Sequence, residues 1–489
     1  MMMNLNIAED LPLCADVPLC VDLDGTLVRT DMLYETVLLL ARRSPTSLFQ
    51  LPLWLAKGKA EFKRRVAERV ELDASSLPYR PDVIALVEEA RGEGRQVVLA
   101  TAASATVARN IADHLDLFDD VISSTDDVNL SGHHKADALL ERYGEGGFDY
   151  IGNHWEDLPV MRHARRAWLV SDNGHLRRAA ARSHAGPTWI EAEGGGLRSW
   201  IRALRAHQWV KNILIFVPLL AAQEVGNLSL VTMAVLAFIA YSLLASAVYL
   251  VNDMLDLTVD RRHRSKRNRP FAAGKLPISH GIMAVPVLVM LSWGIAAFLP
   301  VQFMIVLGVY TVVTTLYSFW LKQQVVVDVM LLAGLYTLRI LAGAAATQIE
   351  PSFWLLAFSM FLFLSLAVLK RYSELRVTVT EGKELSGRGY LRADLPVLLT
   401  LGGGSGLISV MILAFYTQSE IVPEHYPARQ WLWLVPPLML YWVVRIWMKV
   451  NRGEMHDDPV LFAVKDWQSL VVFGCMGVMF GLAAMGLKP

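Results

Sequence analysis

Residues 251–270 read VNDMLDLTVDRRHRSKRNRP. The stretch closes a long apolar run and sets three aspartates, Asp253, Asp256 and Asp260, ahead of six Lys/Arg. On a continuing helix, Asn252, Asp256 and Asp260 follow i, i+4, i+8, and Asp253 stands i, i+3 from Asp256, so all four polar heads fall near one face. Carboxylates this close repel unless a divalent cation sits between them. Mg²⁺ takes oxygen ligands and keeps water and phosphate oxygens in its shell. Arg262, Lys266, Arg267 and Arg269 then suit the outer oxygens of a diphosphate. Sorting of positive loops explains these cations, and Arg261 and Arg264 among them, but gives no reason for the acids.

Outward from this motif the chain has two grammars. It is 489 residues long, 54% hydrophobic and 19% charged, with zero formal net charge. That balance points to a soluble part joined to a membrane part. Cys14, Cys20 and Cys475 have no metal or disulfide spacing. The first sixteen residues lack a basic, apolar leader pattern and read as a flexible N-terminus.

Residues 17–190 read as soluble α/β. PLCVDLDGT, RQVVLAT, FDYIGN and RAWLVSD are continuous apolar runs, as parallel strands buried on both faces require, and charged amphipathic segments lie between them. A helical insertion, a cap at about 31–82, interrupts this part; its LFQLPLWLAKG segment reads either as cap core or as a surface for the bilayer or a lipid. The glycine-rich 191–200 is a linker. From 201 to 489 the chain reads as a helical membrane domain of nine spans: 212–224, 230–251, 280–299, 301–318, 325–346, 353–369, 395–416, 430–448 and 467–487. Placing the loop after the second span in the cytoplasm puts most Lys/Arg there, including Lys275, Lys322, Lys370, Arg371, Lys449 and Arg452, against Arg429 and Lys488 opposite. The expectation is a multi-pass protein of the cytoplasmic membrane with its soluble half in the cytoplasm and its C-terminus across.

In the soluble half, VDLDGTL sets Asp22 and Asp24 on one side of a strand tip. They can hold Mg²⁺ and attack a phosphoryl group. Thr101 ends RQVVLAT with a hydroxyl placed for phosphate, Lys135 starts a helix in SGHHKADAL, and FDYIGNHWEDLPV offers Asn153 and Asp157. In order and spacing these resemble the four motifs of the haloacid dehalogenase (HAD) superfamily, which implies a Rossmann-like fold. The resemblance makes Asp22 the nucleophile and Asp24 the general acid/base, gives the phosphate to Thr101 and Lys135, and completes a Mg²⁺ site with Asp157. The family's last motif usually reads GDxxxD; Asn153 here removes one negative charge from the metal site.

The NDxxDxxxD pattern after an apolar helix resembles the first motif of the UbiA superfamily of intramembrane prenyltransferases, with nine helices. Tyr317, Lys322 and Asp328 stand where that family has its second motif, though a second DxxxD is absent. RAHQWVKNILIFVPLLA, LRILAG with Arg339, KRYSEL with Lys370 and Arg371, and HDDPVLFAVKD from His456 resemble a narrower branch, the polyprenyl-phosphate phosphoribosyltransferases. That branch implies transfer of phosphoribose from phosphoribosyl pyrophosphate to a polyprenyl phosphate. Asn252, Asp253, Asp256 and Asp260 would hold Mg²⁺ on the departing diphosphate, and Lys211, Lys322 and Lys370 the lipid phosphate or the ribose 5-phosphate. Arg339 inside a span is either a substrate contact or a buried structural pair. The HAD half would remove the 5-phosphate of the lipid product. Mg²⁺ is thus expected in both halves, with no nucleic-acid partner and room for a homo-oligomer. The rival readings are a prenyltransferase acting from a prenyl diphosphate on an aromatic or glycerol-type acceptor with a regulatory HAD domain, and a transporter or lipid-binding protein.

Overall fold

The computed structural model describes residues 17–125, 128–184, 186–192, 194–263, 266–419 except 381–388, and 422, 426–455 and 458–487. Cys14, Arg264, His456 and Lys488 lie outside the described residues. The chain divides into two compact units, Met1–Leu204 with Leu250–Ala284, and Arg205–Tyr249 with Val285–Pro489. The acidic motif of residues 251–270 therefore belongs to the same body as the α/β half.

In the first unit six strands form one parallel sheet: β1 (Leu19–Val21), β2 (Val97–Ser104), β3 (Asp120–Ser124), β4 (Asp149–Gly152), β5 (Ala167–Val170) and β6 (Thr188–Ile190), in the order β3-β2-β1-β4-β5-β6. Cys20 pairs with both Val98 and Tyr150, which fixes the central register. The four apolar runs supply β1, β2, β4 and β5. β3 and β6 are edge strands, polar or part-exposed, and carry a weaker sequence signal. Helices cover both faces over two apolar layers, one around Val21, Leu99 and Ile111 and one around Cys20, Val98 and Tyr150. The order reverses between β1 and β4, and in doubly wound sheets ligands bind outside the strand ends at such a point. Asp22 follows β1 and Asn153 follows β4, so both sit there.

The cap is built from the helices Met32–Arg43, Leu51–Leu55 and Lys59–Ala67 around Leu40, Trp54, Val66 and Val70. Its partner is the acidic motif itself. Buried Glu35 takes the Arg261 guanidinium at 2.5 Å, Arg42 meets Asp256 at 3.2 Å, and Arg262 meets Asp73 at 2.7 Å.

Eight helices among the described residues are long and apolar enough to cross a membrane: Leu228–Leu255, Ile278–Ala296, Val301–Phe319, Val327–Thr347, Phe353–Arg376, Arg392–Thr417, Arg429–Arg452 and Trp467–Ala484. The span expected at 212–224 is not such a helix. Ala206–Phe216 is a 3₁₀ stretch followed by a five-residue α-helix, Val217–Ala221. Pro218 offers no N–H to a longer ladder. Asn212 and Lys211 are buried within the second unit. This stretch lies against the helix Val327–Thr347 at Gly343, where an added Cβ would stand 1.9 Å from the Ile215 carbonyl oxygen.

Candidate active sites

The α/β unit holds a cleft of about 800 Å³ at the sheet's switch point, lined by Asp22, Asp24, Lys135, Asn153 and Asp157. Lys135 is almost fully buried and lies between two carboxylates, 2.7 Å from Asp22 Oδ1 and 3.3 Å from Asp157 Oδ1, while Tyr150 Oη is 3.0 Å away. Each group is placed by local structure. The Asp22 N–H donates to the Ile151 carbonyl, which extends the β1–β4 pairing by one bond. Thr26 donates its hydroxyl to Asp22 Oδ2 at 3.0 Å. Asp157 accepts the Tyr150 hydroxyl at 2.6 Å and the N–H groups of Asn153 and His154 at 2.9 and 3.0 Å. Gly25 has φ +76°, and a Cβ there would stand 2.0 Å from Asn153 Nδ2, so this turn closes only over glycine.

The electrostatics separate the acids. Burial pushes the Asp22 carboxyl up to about 6 against the pull of Lys135. Burial, then Asp31 and Asp22, push Asp24 well above the ordinary carboxylate range, although Asp24 accepts the Met32 N–H at 2.7 Å. Burial would also raise Asp157, but the Lys135 charge and the Tyr150 hydroxyl outweigh it and hold that carboxyl below its usual value. The arrangement supplies a carboxylate beside a fixed cation and a neutral carboxylic acid two residues away, the pair that acid–base assisted phosphoryl transfer needs.

Thr101 is fully buried and its Oγ accepts the Ala103 N–H at 3.0 Å; it is not among the residues that line the cleft. Ser104, three residues on, does line it, and its buried hydroxyl has no hydrogen-bond partner among the described residues. Tyr150 and Ser104 were not singled out by the sequence. The serine's only signal was a second hydroxyl at the end of the same strand.

The acidic motif is grouped differently from a straight helix. The long helix ends at Leu255, Asp256 adopts φ −99° and ψ 13°, and a new helix runs Leu257–Arg262. Asp253 and Asp260 are buried and converge on one guanidinium nitrogen of Arg269, at 2.9 and 2.6 Å. Asp256 is turned to Arg42 and Arg262 to Asp73 in the cap. Asn252 and Lys266 are half-buried nearby in sequence. Burial raises the Asp260 carboxyl.

Two polar clusters of the second unit gather the residues expected to bind substrate. Asp458 Oδ2 accepts Lys211 at 2.7 Å and Lys370 at 3.2 Å. Asp458 also accepts the Val460 N–H, and so caps the helix Pro459–Lys465. Beside it, Arg339 donates to Asn212 Oδ1 at 2.9 Å and sits over the rings of Tyr241, Tyr310 and Tyr336 at 5.4–5.8 Å. In the other cluster Asp328 is fully buried and takes Arg371 Nε at 2.5 Å and the Tyr317 hydroxyl at 2.8 Å, while Arg371 also reaches Glu374. Arg371 is thus a buried ion-pair partner. Lys322 lies in the 3₁₀ turn Leu321–Gln323, half-buried. Asp458 and Tyr317, which fix these clusters, stand in HDDPVLFAVKD and eleven residues before Asp328, where spacing alone does not mark their part.

Two carboxylate pairs supply oxygen donors of the kind Mg²⁺ takes: Asp22 with Asp157, which both reach Lys135 Nζ, and Asp253 with Asp260, which both reach Arg269 Nη1. Among the described residues no three His, Cys, Asp or Glu side chains form a complete cage. A paired-carboxylate site that leaves room for water and phosphate oxygens suits this ion.

Comparison with known proteins follows the same division. Residues 213–470 match the UbiA prenyltransferase family, and residues 19–162 match haloacid dehalogenase-like hydrolases. An uncharacterized protein of Sinorhizobium fredii, y4nM, is 35% identical over 94% of this chain and 90% of its own length. The nodulation protein NoeC of Azorhizobium caulinodans is 34% identical over 58% of this chain and 92% of its own. Decaprenyl-phosphate phosphoribosyltransferase of Mycobacterium tuberculosis is 35% identical over 44% of this chain and 73% of its own.

Proposed function

The chain belongs to the UbiA prenyltransferase family, with an N-terminal HAD-like domain, and we propose that it transfers phosphoribose from phosphoribosyl pyrophosphate to a polyprenyl phosphate and then removes the 5-phosphate. The observation that carries the first step is the pair Asp253 and Asp260, buried and converging beside Arg269. Arg269 compensates the two buried acids in this structure, and the same pair of carboxylates would serve a divalent cation when Arg269 turns to the diphosphate. They, with Asn252 and Asp256, would hold Mg²⁺, which when bound neutralises charge on a diphosphate. The similarity to a decaprenyl-phosphate phosphoribosyltransferase supports phosphoribose as the donor group.

An oxygen of the lipid phosphate forms the new bond to ribose C1, and the C1–O bond to diphosphate breaks with the electron pair leaving on diphosphate. No proton moves, so no general base is required. Arg262, Lys266 and Arg269 would meet the diphosphate oxygens. Lys211 and Lys370, with Arg339 and Lys322, would meet the lipid phosphate or the 5-phosphate, and Arg371 holds Asp328 beside them.

For the second step, Asp22 attacks the 5-phosphate phosphorus and Asp24 protonates the departing sugar oxygen. Water, deprotonated by Asp24, then cleaves the aspartyl-phosphate to release inorganic phosphate. Lys135 and Ser104 hold the phosphoryl oxygens, and Asp22 and Asp157 would hold Mg²⁺, which offsets the negative charge of the phosphate. Tethering raises the effective concentration of the first product at the second site.

The reading also keeps the loop after Leu255 and the HAD domain on the cytoplasmic side, which the Lys/Arg bias of the loops supports. The C-terminus would lie opposite if Ala206–Ala221, about 30 Å long at ~2.0 and ~1.5 Å per residue, adds a ninth crossing to the eight long apolar helices. Membranes given labelled phosphoribosyl pyrophosphate and polyprenyl phosphate test the whole reading: Asp22→Asn accumulates the 5-phosphorylated lipid and Asp253→Asn yields neither product. Equal turnover of a prenyl diphosphate donor would instead favour prenyl transfer.

A further inference from the structure

The HAD cleft is walled by a membrane helix. Besides the catalytic residues and the cap residues Leu55, Lys59 and Phe62, its lining includes Pro277, Ile278, Ser279 and His280. Ile278 begins the span Ile278–Ala296, whose nineteen residues rise about 28 Å, so its first turn lies at the bilayer edge. A cleft for a freely diffusing sugar phosphate has no need of such a wall.

The cap carries a matching feature. The helix Leu51–Leu55 and the turn before it present two faces. Trp54 and Leu51 pack into the cap core, with Arg69 stacked on Trp54 at 4.6 Å. Phe49 is 84% exposed, Leu53 68% and Leu55 53%, on one short segment. Residues 44–60 contain Lys57 and Lys59 and not one Asp or Glu, while Arg42 and Arg43 just before them are paired with Asp256 and Glu71. An apolar ridge flanked by cations and free of acids is the composition of a surface that rests in an anionic lipid interface. Leu55 belongs to both features, being exposed on the ridge and lining the cleft, so the ridge is continuous with the cleft's rim.

We propose that the cap ridge at residues 48–55 sits in the bilayer interface and that the HAD cleft takes a lipid-anchored phosphomonoester, which enters between this ridge and the first turn of the helix Ile278–Ala296. This deepens the phosphatase reading above and rests on it for the chemistry, but the docking has its own readout.

The test uses the full chain in vesicles of phosphatidylcholine and phosphatidylglycerol. A polarity-sensitive dye on Phe49→Cys, in a background without the native cysteines, is challenged with lipids spin-labelled near the headgroup. The same dye on Glu88→Cys, on the exposed face of the helix Pro81–Gly92, is the control. Strong quenching at 49 and little at 88 is expected. Equal quenching at both positions overturns the docking, and so does dye self-quenching at 49 that disappears on dilution with unlabelled protein, since a second copy would then cover the ridge. In parallel, Phe49→Ser/Leu53→Ser is assayed on ribose 5-phosphate and on a polyprenyl-phosphoryl-ribose 5-phosphate. The soluble ester is hydrolysed as by the parent, whereas kcat/KM for the lipid falls about tenfold, as loss of two apolar side chains from the interface predicts. An unchanged lipid rate refutes the proposed entry route. If Asp22→Asn leaves hydrolysis of both esters intact, the phosphatase reading fails while the quenching result stands on its own.

Discussion

Replacing Lys135 with methionine keeps the volume and removes the cation that lies between Asp22 and Asp157. Breaking a buried ion pair by deleting one partner typically costs about 3–5 kcal/mol, because a buried charge is left alone. Here the loss falls unevenly. Asp157 keeps the Tyr150 hydroxyl and two backbone N–H groups, whereas Asp22 keeps only Thr26 among its side-chain partners. Asp22 can escape by protonation. With its carboxyl already pushed up to about 6, neutralising it at pH 7 costs on the order of 1 kcal/mol even before Lys135 is lost. The penalty at pH 7 should therefore be about 1–3 kcal/mol, below the usual figure. Its pH dependence has a definite sign. The variant's native Asp22 binds a proton that the unfolded chain, with a carboxyl near ~3.9, has released, so the native state binds more protons and stability falls as pH rises. Relative to the parent, Lys135→Met should be least destabilised near pH 5 and most at pH 8. Hydrogen exchange of β1 and β4 amides, in full-length protein with a metal chelator present, reads this locally. Hydrolysis of a soluble phosphomonoester with Mg²⁺ should drop by about 10²–10³ in kcat, since a preorganised charge is lost and the nucleophile is neutral. A variant that keeps its rate within about threefold, or whose destabilisation grows as pH falls, would show that Lys135 does not hold the charge balance of the site.

Ser104→Ala should raise KM for phosphomonoesters by about tenfold with little change in kcat, the value of one hydrogen bond to a charged oxygen; competitive inhibition by inorganic phosphate should weaken in step. Asp458→Asn removes the shared acceptor of Lys211 and Lys370 and should lower transferase kcat/KM by about ten- to a hundredfold, partly restored by Asp458→Glu; phosphoribosyl transfer with purified protein measures it. Asp149→Ala strands Arg95, 3% exposed, and the half-buried Arg165, and should cost about 3–5 kcal/mol in the α/β unit. Phosphatase activity should then be lost at lower temperature than transferase activity, in one heating series on the same sample.

The chemistry of each motif was legible because it is local. Asp22, Lys135 and Asp157 come from three strand-to-helix turns, and strand order alone brings such turns to one edge of a parallel sheet. The hydroxyl at the end of β2 shows the limit. Strand alternation puts Thr101 and Ser104, three residues apart, on opposite faces, and the register shift between them in the β2–β3 pairing breaks that count, with Ser104 lining the cleft. A bulge depends on the partner strand, which the sequence does not number. Spacing on a straight helix likewise grouped Asn252, Asp253, Asp256 and Asp260 near one face. In the structure Asp253 and Asp260, seven residues apart, stay together at Arg269, while the break at Asp256 sends that residue to a cap residue 214 positions earlier in the chain.

That last pairing alters what the insertion is for. From the sequence the cap is an ornament of the phosphatase and the acidic motif an organ of the membrane domain. Yet Glu35, Arg42 and Asp73 of the cap bind Arg261, Asp256 and Arg262, one after another along the motif. The exposed pairs of this set contribute little to stability on their own. The Glu35–Arg261 pair, at 2% and 6% exposure, is different: removing the acid leaves a buried guanidinium beside the residues proposed to hold the diphosphate. A charge change made inside the phosphatase cap, at Glu35→Gln, should then depress phosphoribosyl transfer, while an equally conservative change at exposed Glu88 should not. If transfer is indifferent to Glu35, the cap and the motif share a body without sharing a function.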